Sequence, residues 1–150
     1  SGSPFCAAVL DLDHFKQVND RFGHAVGDAA LKLFADVTRA SLRDGQQLMR
    51  LGGEEFVLLM PGMDRRRALD HVDAVRLSVQ RHGEEIAGAP CRLTVSAGVA
   101  QLNKVHASID AVLNEADQAL YAAKRNGRNC AVAFVDLSTP AGANIDAQPG

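Results

Sequence analysis

The chain is predicted to adopt an α+β fold, with one mixed sheet and helices packed on it. Three observations predict this. Strand-like and helix-like segments alternate in the order β-α-α-β-β-α-β-α-β. The two strand-like runs in the middle are joined by Gly52-Gly53, and a two-residue glycine link is a tight-hairpin signal, so the strands cannot all be parallel. The longer segments between strands carry apolar stripes with a 3.6-residue period. Together these features describe a ferredoxin-like layer.

Each element has its own signal. Residues 6–12 form a short apolar run ending in Asp11-Leu12-Asp13, which reads as a buried strand. Residues 14–21 read as a short helix, with Phe15, Val18 and Phe22 spaced i, i+3, i+7. Gly23 and Gly27 punctuate a loop, and Asp28 is placed to cap the next helix, whose stripe is Leu31, Phe34, Ala35, Thr38 and Leu42. Residues 46–51 and 54–60 are the hairpin strands, closed by Pro61-Gly62. Residues 64–82 are helical, with Leu69, Val72, Val75, Arg76 and Val79 as the stripe. Residues 93–100 alternate and form a strand, Ser108 caps a helix running to about Arg125, and Asn126-Gly127 stops it. Residues 129–135 are the last strand, and 137–150, rich in Ala, Gly and Pro, read as a flexible tail. Ser1-Gly2-Ser3 resembles a cloning remnant, so residues 1–6 hold that remnant and the start of the first strand, and 7–136 are the folded unit.

A net charge of -2 gives no global attraction to nucleic acid or to an anionic membrane, so an anionic ligand must be held by local groups. No apolar run reaches the roughly 18 residues of a spanning helix, and no signal peptide is visible. The expected location is therefore the cytoplasm, either as a free protein or as the cytoplasmic part of a larger sensor. Cys6, Cys91 and Cys130 show no metal spacing and read as reduced thiols. The five histidines are scattered, which argues against zinc. Arg65-Arg66-Arg67 reads as a solvated helix face, His14 and His24 as structural, and Phe15, Phe22, Phe34 and Phe56 as core.

The carboxylates carry the chemistry. Strand alternation sends Asp11 and Asp13 to one face and Leu12 to the other. Glu54 and Glu55 follow the tightest turn, where two glycines allow close approach of a ligand. Hard cations such as Mg²⁺ take one or two carboxylates plus phosphate oxygens. On these residues alone, a metal site and a solvated acidic turn both stand. Lys16, Lys124 and Arg128 add cations suited to a nucleoside triphosphate, although the last two also suit a helix C-terminus. There is no GxxxxGK[ST] loop and no dinucleotide fingerprint.

Three linked segments carry a resemblance. Residues 11–20 (DLDHFKQVND) are followed by Phe22-Gly23-His24 and Gly27-Asp28; residues 50–56 read RLGGEEF; and Tyr121-Ala122-Ala123-Lys124 precedes Gly127-Arg128-Asn129. In order and spacing they resemble the GGDEF domains, in the GGEEF form, from about Ala7 to Val135. The resemblance implies a palm-like, adenylyl-cyclase-like sheet with the GGEEF run at a hairpin tip. It implies a diguanylate cyclase, a nucleotidyltransferase that condenses two GTP into cyclic di-GMP and pyrophosphate by 3′-OH attack on the α-phosphate. It implies two Mg²⁺ or Mn²⁺ per GTP site, held by Asp11, Glu54 and the Leu12 carbonyl. By the same resemblance Asn19 and Asp28 read guanine, and backbone amides of His14, Phe15 and Lys16 cradle the β- and γ-phosphates. Lys124 and Arg128 neutralise those phosphates, Gly52 and Gly53 form the turn at the substrate, and Glu55 positions or deprotonates the attacking hydroxyl. One domain holds one GTP, so a homodimer is implied. The alternative is a catalytically silent module that binds GTP as a regulatory domain.

Two departures from the family pattern are visible. The positions matching its product-inhibition motif, RxxD, are Arg43 and Gln46, and a glutamine cannot pair ionically with a guanidinium. Weak product inhibition is the expectation. Family members also carry a helical segment with a DxLTGLxNR-like motif, and usually a sensor domain, ahead of the first strand. The sequence starts almost at that strand, so weaker dimerisation or stability is expected.

Overall fold

A computed structural model describes residues 3–135. Five strands and four helices follow the expected order: β1 (Phe5–Leu12), α1 (Phe15–Phe22), α2 (His24–Ala40), β2 (Gln47–Gly52), β3 (Glu55–Pro61), α3 (Arg65–His82), β4 (Val95–Gln101), α4 (Ile109–Arg125) and β5 (Ala131–Ala133). The sheet order is β2-β3-β1-β4-β5. β1 lies between antiparallel neighbours β3 and β4, and β5 joins β4 in parallel. The α+β, palm-like expectation is met.

Alternation along β1 divides the core. Cys6, Ala8, Leu10 and Leu12 meet Phe34 of α2 and Val72, Val75 and Val79 of α3. Ala7 and Val9 face the other way and join Val57 with Val112, Ala116 and Leu120 of α4. A strand buried on both faces must be apolar throughout, which explains why the first run reads as it does. Phe34 and Phe56 pack at a 45° tilt with centroids 4.6 Å apart, fastening α2 to β3 with about 0.5–1.5 kcal/mol beyond their burial. Asp64 caps α3 by accepting from the Arg67 amide, while Ser108 sits at the α4 cap position without a side-chain bond.

Four local expectations change. α2 begins at His24, so Gly23 alone (φ 92°) makes the turn, and Gly27 and Asp28 lie inside the helix. Gly27 is there for close contact: a Cβ would collide with the Asn19 side chain. The hairpin turn is Gly53-Glu54, one residue later than expected, because a register shift between Arg50 and Gly52 pairs Gly52 with Glu55. β5 shrinks to three residues, since Asn129 is left-handed (φ 47°) and its amide bonds to Asp13 instead of joining the ladder. Phe22 lies outside the core and sits under the Arg21 guanidinium. The tail expected over 137–150 lies outside the described residues.

All three cysteines are free, and burial pushes the Cys6 thiol up to about 12. Among the described residues no helix is long and apolar enough to cross a membrane.

Among the described glycines of the sheet, Gly98 has the closest neighbours. A Cβ there would collide with the Ala116 carbonyl oxygen and the Leu120 amide nitrogen, backbone atoms that cannot swing away. Gly98→Ala is expected to cost about 1–3 kcal/mol or more, read as a lower urea midpoint. An unchanged midpoint would show that α4 is free to lift from β4.

Candidate active site

The end of β1 brings two carboxylates into the interior. Asp11 is 6% exposed and Asp13 5%. Both turn toward the C-terminal end of α4, as strand alternation predicts, but their partners differ. Asp11 stands opposite Glu55 on β3 and Ser96 on β4, and its Oδ2 accepts from Lys124 Nζ at 2.9 Å. Asp13 accepts from Ser96 Oγ at 2.6 Å, Thr94 Oγ1 at 2.7 Å and the Asn129 amide at 3.0 Å. The sequence reading missed this second role. A hydroxyl pair at alternate positions, Thr94 and Ser96, was its one available signal.

The hairpin reaches the same place from β3. Gly53 has φ 55°, a conformation that favours glycine, and its carbonyl accepts from Arg50 Nε at 2.9 Å and Nη2 at 2.6 Å. The Glu54 carbonyl accepts from the Leu12 amide at 3.3 Å, tying the tip to the end of β1. Glu54 thus sits on the turn itself and Glu55 begins the strand. Burial holds the Glu55 carboxyl above its ordinary range, reinforced by the nearby Asp11 and Asp117 charges, opposed by Lys124, and raised further by Glu54.

An open cleft of about 300 Å³ lies between these parts. Asp11, Leu12, Asp13, His14, Phe15, Lys16, Glu54, Lys124 and Arg128 all contribute to its wall. Most of the predicted metal- and phosphate-contacting residues are therefore brought together. His14 is left-handed (φ 55°) and delivers the chain into α1, whose first residues border the cleft. Lys16 is largely exposed and pairs with Asp20, a contact worth little in water. Gly127, Arg128 and Asn129 have consecutive positive φ angles of 111°, 66° and 47°, and this turn carries Arg128 to the cleft.

Other predicted residues lie outside that wall. Asn19 is less than a turn beyond Lys16 on α1, and Gly27 packs against it, which sets Asp28 on the adjoining helix. Gly52 ends β2 and Gly53 is the first residue of the turn that carries Glu54. Arg43 and Gln46 form a separate turn before β2. There the Gln46 side chain is buried, its Oε1 accepts from the Arg43 amide at 3.1 Å, and its Nε2 faces Met63 Sδ at 3.6 Å.

The donor set suits a hard cation. Asp11, Glu54 and the Leu12 carbonyl offer only oxygen, and the Lys124 ammonium already sits on Asp11. Among the described residues no group of three or more His, Cys, Asp or Glu could hold a metal alone. A hard cation such as Mg²⁺ takes one or two carboxylates plus phosphate oxygens and water.

Known proteins share this sequence and fold. Residues 1–130 match the family described as "Diguanylate cyclase, GGDEF domain". The chain is 41% identical over 128 residues to diguanylate cyclase DgcP of Pseudomonas aeruginosa, covering 85% of this chain and 19% of that protein. It thus spans about a fifth of the length of that curated relative. Among solved structures, the active GGEEF domain of a diguanylate cyclase from Vibrio cholerae superposes with a TM-score of 0.84 at 30% identity, over 89% of this chain and 85% of that one. The GGDEF domain of DgcB from Caulobacter crescentus, solved in complex with c-di-GMP, gives 0.79 at 36% identity, over 89% and 79%. Sequence, fold and cleft lead to one conclusion: the chain belongs to the GGDEF domain family of diguanylate cyclases.

Proposed function

We propose that residues 7–136 act as a diguanylate cyclase domain that condenses two GTP into cyclic di-GMP and pyrophosphate in the cytoplasm. The observation that carries this reading is the meeting of Asp11 and Glu54 with Lys124 and Arg128 around one cleft at the end of the central strand. Acids alone would repel a triphosphate, and bases alone would hold no metal. Relatives named as diguanylate cyclases, and a neighbour solved with c-di-GMP, support it.

In this reading Asp11, Glu54 and the Leu12 carbonyl would hold Mg²⁺ or Mn²⁺, two per GTP. Bound there, the cations would supply charge neutralisation and ease loss of the proton from the attacking 3′-OH. The residues of this chain do the rest. Amides of His14, Phe15 and Lys16, at the start of α1, cradle the β- and γ-phosphates, where a helix N-terminus favours anions. Lys124 and Arg128 neutralise the same phosphates and stabilise departing pyrophosphate. Asn19 and Asp28 read the guanine edge from the α1–α2 pair. Gly52 and Gly53 keep the hairpin backbone bare of side chains beside the substrate. Glu55, whose raised affinity for a proton suits the task, positions or deprotonates the hydroxyl. One cleft takes one GTP, so two domains face each other, most simply as a two-fold homodimer.

The direct test is incubation with Mg²⁺ or Mn²⁺ and GTP, followed by chromatography for cyclic di-GMP. Glu54→Ala should lower turnover by more than about 100-fold; full activity in that variant removes Glu54 from the metal site. A wild type that binds GTP at high protein concentration without turnover would mark a silent regulatory module instead.

Glu55 also makes a stability prediction. Its folded-state pKa is raised, so between the unfolded and folded values the native protein binds more protons than the unfolded chain. Stability contributed by Glu55 therefore falls as pH rises through that window and stays lower above it. Glu55→Gln should raise Tm at pH 7, and the gain should disappear as pH drops below the ordinary value of 4.5.

Product inhibition should be weak. The Gln46 amide is committed to its own turn and to Met63, leaving Arg43 without the acid of the usual motif. Gln46→Ala is expected to leave cyclic di-GMP affinity unchanged in calorimetry; sub-micromolar binding that this variant abolishes would reverse the assignment.

A further inference from the structure

Asp13 is the best-satisfied buried carboxylate in the described residues, and the proposed chemistry does not use it. It lines the cleft two residues from Asp11, yet among the described residues no cation pairs with it. A carboxylate has about four lone-pair sites. Three are taken by Ser96 Oγ, Thr94 Oγ1 and the Asn129 amide, at 2.6, 2.7 and 3.0 Å. Those bonds leave little capacity for a metal.

The bond to Asn129 ties Asp13 to the turn after α4. Arg128 and Asn129 are both left-handed, which costs a residue with a Cβ roughly 1–2 kcal/mol, Asn somewhat less. The turn is held against that cost at three points. The Arg128 amide closes on the Ala123 carbonyl at 3.0 Å. The Asn129 amide is shared by Asp13 and Ser96 Oγ, the latter at 3.2 Å. From the other side Arg76 Nη1 donates to Asn129 Oδ1 at 2.9 Å and to its carbonyl at 3.3 Å, while Asp73 holds Arg76 Nε at 2.7 Å. Between these anchors the side chain of Arg128 is exposed and stands at the cleft.

We infer that Asp13 is a positioning residue for the triphosphate: with Arg76 it clamps Asn129, and so fixes the left-handed turn that presents Arg128 to the phosphates. This rests on the GTP reading above and deepens it. Asp11 and Asp13, alike in sequence, would then serve opposite ends of the problem: one meets the metal, the other acts only through Arg128.

A double-mutant cycle tests this on 3′-deoxy-GTP, which lacks the attacking hydroxyl, and on GMP, which lacks the β- and γ-phosphates. Asp13→Asn and Arg128→Ala should each weaken 3′-deoxy-GTP binding by about tenfold, and together by no more than either alone. GMP binding should be unchanged in all variants. Exchange of the Asn129 amide should speed up in Asp13→Asn without any ligand. Should Asp13→Asn fail to fold, Arg76→Gln loosens the same turn from α3 and takes its place in the cycle. Additive losses, equal losses for GMP, affinity restored by excess Mn²⁺, or full affinity with a faster-exchanging Asn129 amide each overturn the inference. A wild type that binds neither nucleotide overturns the GTP reading itself, and this inference with it.

Discussion

Two carboxylates buried at the end of the central strand are the constraint on which the rest depends. An uncompensated charge there costs several kcal/mol. β1 cannot avoid the cost, because it is hydrogen-bonded on both edges and covered on both faces. The end of α4 contributes compensation to both, and for Asp13 hydroxyls around the start of β4 add the rest. Asp11 is met by the Lys124 ammonium, in the last turn of the helix. Asp13 is met by neutral donors, one of them the backbone just past the helix. α4 must therefore lie close and in fixed register over β1 and β4. The missing side chain at Gly98 permits that approach.

The same constraint explains an unfavourable grouping. Asp11, Glu54 and Glu55 converge at the hairpin, and Asp117 on α4 adds to the field at Glu55. Lys124 is the cation that opposes them there. The native state thus keeps a local excess of negative charge, although the whole chain is only slightly acidic. Such a cluster lowers stability and is retained where activity needs it. In the proposed reaction a divalent cation would relieve this repulsion, coupling fold and substrate binding through the same carboxylates.

Much of this was legible in the sequence, and what was missed has physical causes. β1 was legible because a strand buried on both faces is continuously apolar. The α2 stripe was legible because Phe34, Ala35 and Thr38 share one face at helical period. Gly27 misled because glycine has two uses: a turn and a close contact look alike in sequence, and only the Asn19 side chain packed against it distinguishes them. The hairpin slipped by one residue because a bulge carries no residue signature beyond the glycines themselves. Asp13 and Asp11 could not be separated, since their difference lies in Thr94, Ser96 and Asn129, some 80 to 116 positions away along the chain.

Lys124 and Arg128 reach the cleft by different routes, and the difference bears on how an anion is held. Lys124 extends from a regular helical turn and is already neutralised by Asp11. With three donors, its ammonium has capacity left for a phosphate beside that carboxylate in the proposed reaction. Arg128 has no such competitor at the cleft among the described ion pairs, but its backbone is in a conformation that side chains disfavour. The lysine is thus controlled by electrostatics and the arginine by local geometry. A planar guanidinium meets phosphate in a fixed fork geometry, so where its backbone is held matters to the contact. In the inferred arrangement that setting comes from Asp13 and Arg76 acting on Asn129.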